Sequence, residues 1–125
     1  MDKETLSLLS GFNVSTNNNS VPFSHYEKYS FVQDIIVSGN GPVGNNGFLI
    51  IWDKFLLEKR NDDYMTPLFL SDVFLIGTDG GDMAFGITSA KEFIEVPFLD
   101  MRDESVRFLS DSFKGFIKRI ADGDY

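Results

Sequence analysis

The chain has 125 residues, with 19 Asp and Glu against 11 Lys and Arg, a single His and no Cys. That length fits one domain, 1–125, with room for one ordinary core. The net charge of −8 speaks against a nucleic-acid backbone or an anionic membrane surface as partner. It serves solubility and suits a basic protein partner. With no Cys, disulfides and thiolate metal sites are excluded, as is usual in a reducing cytosol. Thirteen Phe predict an aromatic core.

The chain opens on Met1-Asp2-Lys3-Glu4 with no apolar run behind it, so no secretory signal is expected and the expected location is cytoplasmic. Phe48–Trp52 is too short an apolar stretch to span a bilayer. Leu6, Leu8 and Leu9 give residues 1–12 a short helical pattern, and Asn13–Ser20 reads as a loop. A second helix carries Val32, Ile35 and Ile36 on one stripe. Its start is a capping box at either Ser24-x-x-Glu27 or Ser30-x-x-Gln33, and Gly39-Asn40-Gly41-Pro42 stops it. Residues 41–47 read as a flexible loop.

Phe48-Leu49-Ile50-Ile51-Trp52 is a strand apolar at every position, either covered on both faces or covered on one and adhesive on the other. Asp53 is the expected cap of a short helix through Phe55, Leu56 and Leu57. Phe74–Gly77 and Met83–Ile87 flank Thr78-Asp79-Gly80-Gly81-Asp82, the pattern of an antiparallel hairpin whose turn needs a positive φ at Gly80 or Gly81. In the second run Met83, Phe85 and Ile87 share a face, and Ala84 and Gly86 leave room on the other. Phe93–Phe98 is a third strand. Pro97 places it at an edge or ends it.

Phe113, Phe116, Ile117 and Ile120 keep helical spacing, Lys118 and Arg119 complement the dipole, and Gly123 stops the helix. Either Asp103 caps a long helix, or Ser105–Leu109 is extended and Ser110 or Asp111 caps a shorter one. Helices at both ends around a mostly antiparallel sheet make the fold class α+β.

Chemistry-bearing residues are sparse. His25 has no nucleophile-elbow partner, and one imidazole without thiolates does not make a zinc site. Gly77–Asp82 lacks both the spacing of a phosphate loop and the twelfth-position Glu of a calcium loop. Asp79, Asp82, Asp100, Asp103 and Glu104 supply carboxylates for sugar hydrolysis, but no spacing places two of them across a cleft. Trp52 is either a stacking platform or part of the core or an interface. No catalytic residue, cofactor or metal is expected.

The order of motifs resembles the SUKH superfamily, the Smi/Knr-type domain. Asn40-Gly41 and Gly47–Trp52 match its Asn-Gly before a Trp-bearing strand. Ile76-Gly77-Thr78-Asp79-Gly80-Gly81-Asp82-Met83-Ala84-Phe85 matches its "Ile-Gly-Ser-Asp-Gly-Gly-Gly-Glu-Ala-Phe" hairpin. Val96-Pro97-Phe98 and Ser112-Phe113-Lys114-Gly115-Phe116 match its "Val-Pro-Phe" strand and closing "Ser-Phe-x-x-Phe" helix. The resemblance covers residues 30–121. Asp82 replaces the third hairpin glycine, Gly86 stands where an acidic residue is usual, Tyr29 where a Leu-Pro pair is usual, and residues 1–29 match poorly.

The resemblance implies a SUKH-like α+β fold without enzymatic activity. It implies an immunity protein that neutralises a contact-delivered toxin, often a nuclease. The alternative is a non-catalytic regulatory or scaffold domain, as in the fungal cell-wall regulators. For a basic toxin partner, the acidic loops beside the most family-like motifs nominate Asp79, Asp82, Asp100 and Asp103, with Trp52 as apolar anchor.

Overall fold

The computed structural model describes residues 2–125. Seven antiparallel strands follow one another across a single sheet in chain order: β1 Asn13–Val14, β2 Gly39–Val43, β3 Gly47–Ile51, β4 Phe74–Thr78, β5 Met83–Ile87, β6 Phe93–Pro97 and β7 Arg107–Ser110. Among the described residues four α-helices accompany it: α1 Lys3–Leu8, α2 Leu57–Asp63, α3 Thr66–Phe69 and α4 Phe113–Ala121. The fold is mixed α+β with an open antiparallel sheet. No described helix is long and apolar enough to cross a membrane.

The central hairpin forms as its alternation predicts. Leu75 pairs with Gly86 and Thr78 with Ala84, with a bulge between Leu75 and Gly77. Gly80 has φ 83°, and Gly81 is not among the positive-φ glycines. A Cβ on Gly86 would meet Val73 Cγ1 at 2.7 Å, so the room beside Ala84 is filled by the incoming chain. β6 ends at Pro97, opposite Met83, and β7 covers its other side. The proline therefore terminates the strand and does not mark an edge.

α4 starts at Phe113 because Ser112, not Ser110 or Asp111, accepts the Gly115 N–H at 3.0 Å. The extended alternative upstream is β7, preceded by a 3-10 turn at Asp103–Ser105. Phe116, Ile117 and Ile120 are fully buried, and Phe113 is half-buried. Phe116 stacks on Phe93 at 5.0 Å and meets Phe85 edge-on at 5.2 Å. Aromatic pairs in these geometries each add about 0.5–1.5 kcal/mol beyond area burial.

Three expectations are corrected. The segment over Val32 is a 3-10 helix, Glu27–Asp34, not an α-helix, and neither capping box forms. The Glu58 carboxylate of α2 instead accepts the backbone N–H groups of Ser24, His25 and Tyr26 at 2.8–3.0 Å. Gln33 accepts the Val21 N–H and donates to the Val21 carbonyl. Long-range partners thus outcompete the local cap. The stripe still packs inward, with Val32 and Ile36 buried.

The second correction concerns residues 39–47. They are strand β2 and a tight turn into β3, not a helix stop and flexible loop. Gly41, at φ 138°, lies so close to α1's exit that a Cβ there would sit 2.8 Å from the Gly11 carbonyl. The glycines read as breakers are what let β2 enter the sheet. Residues 13–20 are likewise pinned, by β1 pairing, by Asn18 accepting the Ser38 N–H at 2.7 Å, and by Lys54 Nζ donating to the Asn18 carbonyl at 2.8 Å.

The third concerns Asp53. It precedes a 3-10 turn without capping it, and its carboxylate accepts the Ser15 hydroxyl at 2.6 Å. β3 is fully covered on one face and partly on the other: Leu49 and Ile51 are buried, Ile50 is half-buried against the core, and Phe48 is 44% exposed.

Candidate protein-binding surface

The antiparallel pairing of β5 with β6 brings the β4–β5 turn and the β6–β7 connection to one end of the sheet. Met83 faces Pro97, and the Phe98 N–H donates to the Asp82 carbonyl at 2.9 Å. Asp79 and Asp82 lie at that end and Asp100 follows just beyond Phe98, whereas Asp103 lies beside Ser71 and the β5–β6 turn, toward the opposite end of these strands, so the structure does not gather the four into one cluster.

Asp79 builds its own turn, with Oδ1 accepting the N–H of Gly81 at 2.8 Å and of Met83 at 3.3 Å. Burial, then the negative charge of Asp79, pushes the Tyr125 phenol up. Asp100 accepts the Ser105 hydroxyl at 2.6 Å and pairs with Arg102 Nε at 2.7 Å. The Ser105 bond, with Arg102 assisting, holds its carboxyl below the usual range. Asp103 accepts the Ser71 N–H at 2.9 Å, which ties the β6–β7 connection to the loop after α3. Only Asp82 is exposed with no side-chain hydrogen bond or ion pair to the described residues.

Trp52 is 8% exposed. Its ring stacks on Tyr64 at 6.0 Å and lies under the Arg60 guanidinium, and Tyr64 in turn packs on Phe98 at 5.0 Å. Of this stack, Tyr64 rather than Trp52 reaches the exposed surface.

Beside that stack Tyr64, Phe69, Phe98, Leu99 and Met101 line a groove of about 240 Å³. Leu99 is 95% exposed at its rim, and Met65 on the turn between α2 and α3 and Leu68 and Phe69 of α3 are exposed beside it. Met65 sits in the left-handed region at φ 51°, uncommon for a residue with a side chain. That conformation turns the chain sharply from α2 into α3, where Leu68 and Phe69 are held outward instead of completing the core.

Sequence reasoning missed this groove. Leu99 and Phe69 look like core residues in a linear reading. The one available clue was that Leu99 lies beyond Pro97, where the strand period no longer assigns it an inward face.

Asp72, Glu92 and Asp103, with Val73, Ala90 and Val106, line a second hollow of about 290 Å³. A glycosidase acid needs a raised pKa. Asp72 is shifted the other way: burial pushes it up, but the hydroxyls of Tyr29 and Ser89, the Ser89 N–H and Lys28 together hold it below the usual range. Glu95 is pushed up by burial against the opposing pull of Arg107 and Arg119, but it is only 4% exposed. No cluster of metal-ligating side chains occurs among the described residues. No protein-family model matches the chain, and no curated protein matches its sequence.

Proposed function

We propose that this chain is a cytoplasmic immunity protein of the Smi/Knr (SUKH) type, which binds and neutralises a basic bacterial toxin domain, a nuclease being the expected class. One observation carries this reading: an unfilled apolar groove, flanked by acidic loops, lies at the end of the sheet formed by the family-like hairpin and Val-Pro-Phe strand. Apolar surface ringed by polar groups is the anatomy of a protein interface. The net charge of −8 complements a nucleic-acid-binding enzyme.

The test is binding of the purified chain to the product of the adjacent gene, read by stopped-flow, together with inhibition of that product's nuclease activity. Association is expected to slow several-fold as salt rises, with dissociation changing little, because exposed charges are screened beyond ~8 Å at physiological ionic strength. Asp82→Lys should slow capture further without unfolding the turn, whereas Asp79→Lys would also remove the bonds that shape it. Absence of binding would reject the immunity reading in favour of a regulatory domain with another partner. Salt-independent association, unchanged in Asp82→Lys, would take these loops out of the interface.

A further inference from the structure

We infer that the groove formed by Tyr64, Phe69, Phe98, Leu99 and Met101 is the docking site for a partner segment that presents one large apolar side chain between Lys or Arg residues. The inference deepens the binding-protein reading by naming the surface and the chemistry it takes. It also moves the apolar anchor from Trp52, which Tyr64 covers, to Leu99.

Three features define the occupant. At about 240 Å³ the groove is smaller than the roughly 300–1,000 Å³ of small-molecule sites, so it suits a single anchoring side chain better than a metabolite. Its floor is aromatic and held in place, since Phe98 packs on Tyr64 in a tilted pair and its N–H donates to the Asp82 carbonyl. The chain segments that build it are acidic: Asp100 lies between Leu99 and Met101, Asp82 is tied to Phe98 through the backbone, Asp63 precedes Tyr64, and Asp103 and Glu104 stand beyond Arg102.

The basic groups on these segments are already engaged. Lys59 is paired with Asp63 and Arg102 with Asp100, which neutralises those two acids as well, and Arg60 lies over the Trp52 ring; the unpaired negative charge comes from Asp82, Asp103 and Glu104, which make no ion pair among the described residues. A second copy of this chain would bring equally acidic segments against the first, so charge complementarity favours a basic partner over self-association.

The experiment uses the ¹⁵N-labelled full chain and a synthetic amphipathic helical peptide with Leu on one face and Lys on the other. Its control keeps the Leu face and carries Glu for every Lys. Leu99→Asn serves as the variant, because a side chain this exposed contributes little to folding. Shifts are expected to centre on Tyr64, Phe69, Leu99 and Met101 with the Lys peptide. Both the Leu99→Asn variant and the Glu peptide should bind at least about tenfold more weakly, as for a hot-spot anchor.

Shifts elsewhere, equal binding of the Glu peptide, or no effect of Leu99→Asn would overturn the inference. So would dimerisation of the free chain that Leu99→Asn abolishes, which would assign the groove to a second copy. The adjacent gene's product separates the two levels. If it binds wild type and Leu99→Asn equally, the groove is wrong and the immunity reading stands. If it does not bind while the Lys peptide seats in the groove, the immunity reading fails and the groove stands.

Discussion

Gly80 and Gly81 are neighbours in one turn with different duties. At φ 83° Gly80 occupies a conformation that costs a side-chain-bearing residue of order 1–3 kcal/mol, although the space around it is open, with nothing nearer than Phe48 at 3.6 Å. Gly81 has ordinary φ, and its nearest neighbour is Asp79 Oδ1 at 3.5 Å. Gly80→Val is therefore expected to lower stability by about 1–3 kcal/mol. Gly81→Ala should stay within about 0.5 kcal/mol of wild type. Urea unfolding of the two variants checks this, and equal losses would mean that the turn depends on both positions. The spacing of Gly80-Gly81 foretold a positive φ but not which glycine bears it, because that depends on how Asp79 folds back over the turn.

α2 stands where the sheet lacks a strand. β3 pairs with β4 only at Ile50–Thr78 and Ile51–Gly77, which leaves the start of β4 without a neighbour on that side. Asn61 of α2 fills the gap: its amide oxygen accepts the Leu75 N–H at 2.8 Å and its NH₂ donates to the Leu75 carbonyl at 2.9 Å. The side chain imitates an adjacent strand while fully buried. Asn61→Leu, close in size but without these bonds, orphans two buried backbone groups, each costing about 1–3 kcal/mol. A loss above about 2 kcal/mol in chemical denaturation is expected, and a loss within about 0.5 kcal/mol would show that water replaces the amide. In the sequence Asn61 reads as the polar end of a short helix. Its role exists only once α2 lies against β4. Glu58, on the same helix, escaped notice for the same reason.

At the scale of the whole molecule, two buried or half-buried carboxylates set opposite pH dependences. Burial opposes ionisation of Glu58, but the N–H groups of His25, Ser24 and Tyr26 outweigh it, so its folded pKa lies below the unfolded value of 4.5. Its stabilisation is thus present above that value and is lost as pH falls through the folded pKa. Glu95 is the reverse. Burial raises its pKa above 4.5 despite Arg107 and Arg119, so the native state carries an ionisation penalty at neutral pH, which protonation relieves as pH falls through the folded value.

Thermal melts should therefore show Glu58→Gln destabilised near neutral pH, with the deficit closing below the ordinary Glu range. Glu95→Gln should be stabilised near neutral pH, with the gain vanishing toward pH 4.5. Two variants with the same pH trend would contradict the assignment.

The sequence by itself determined the α+β class, the hairpin with its turn, a third strand from Phe93 with Pro97 at its edge or its end, and the burial of Phe116, Ile117 and Ile120. These rest on period, turn chemistry and proline geometry, which act within a few residues. Tertiary structure decided what depends on residues far apart in the chain. It made Gly39–Val43 a strand, because residues 11–14, leading into and forming β1, pack against Gly39 and Gly41. It made Glu58 the cap for Ser24–Tyr26 and buried Trp52 beneath Tyr64. It left Leu99 and Phe69 outside the core, because hydrophobicity states only that a side chain prefers to be covered. Whether another part of the same chain covers it is settled by packing.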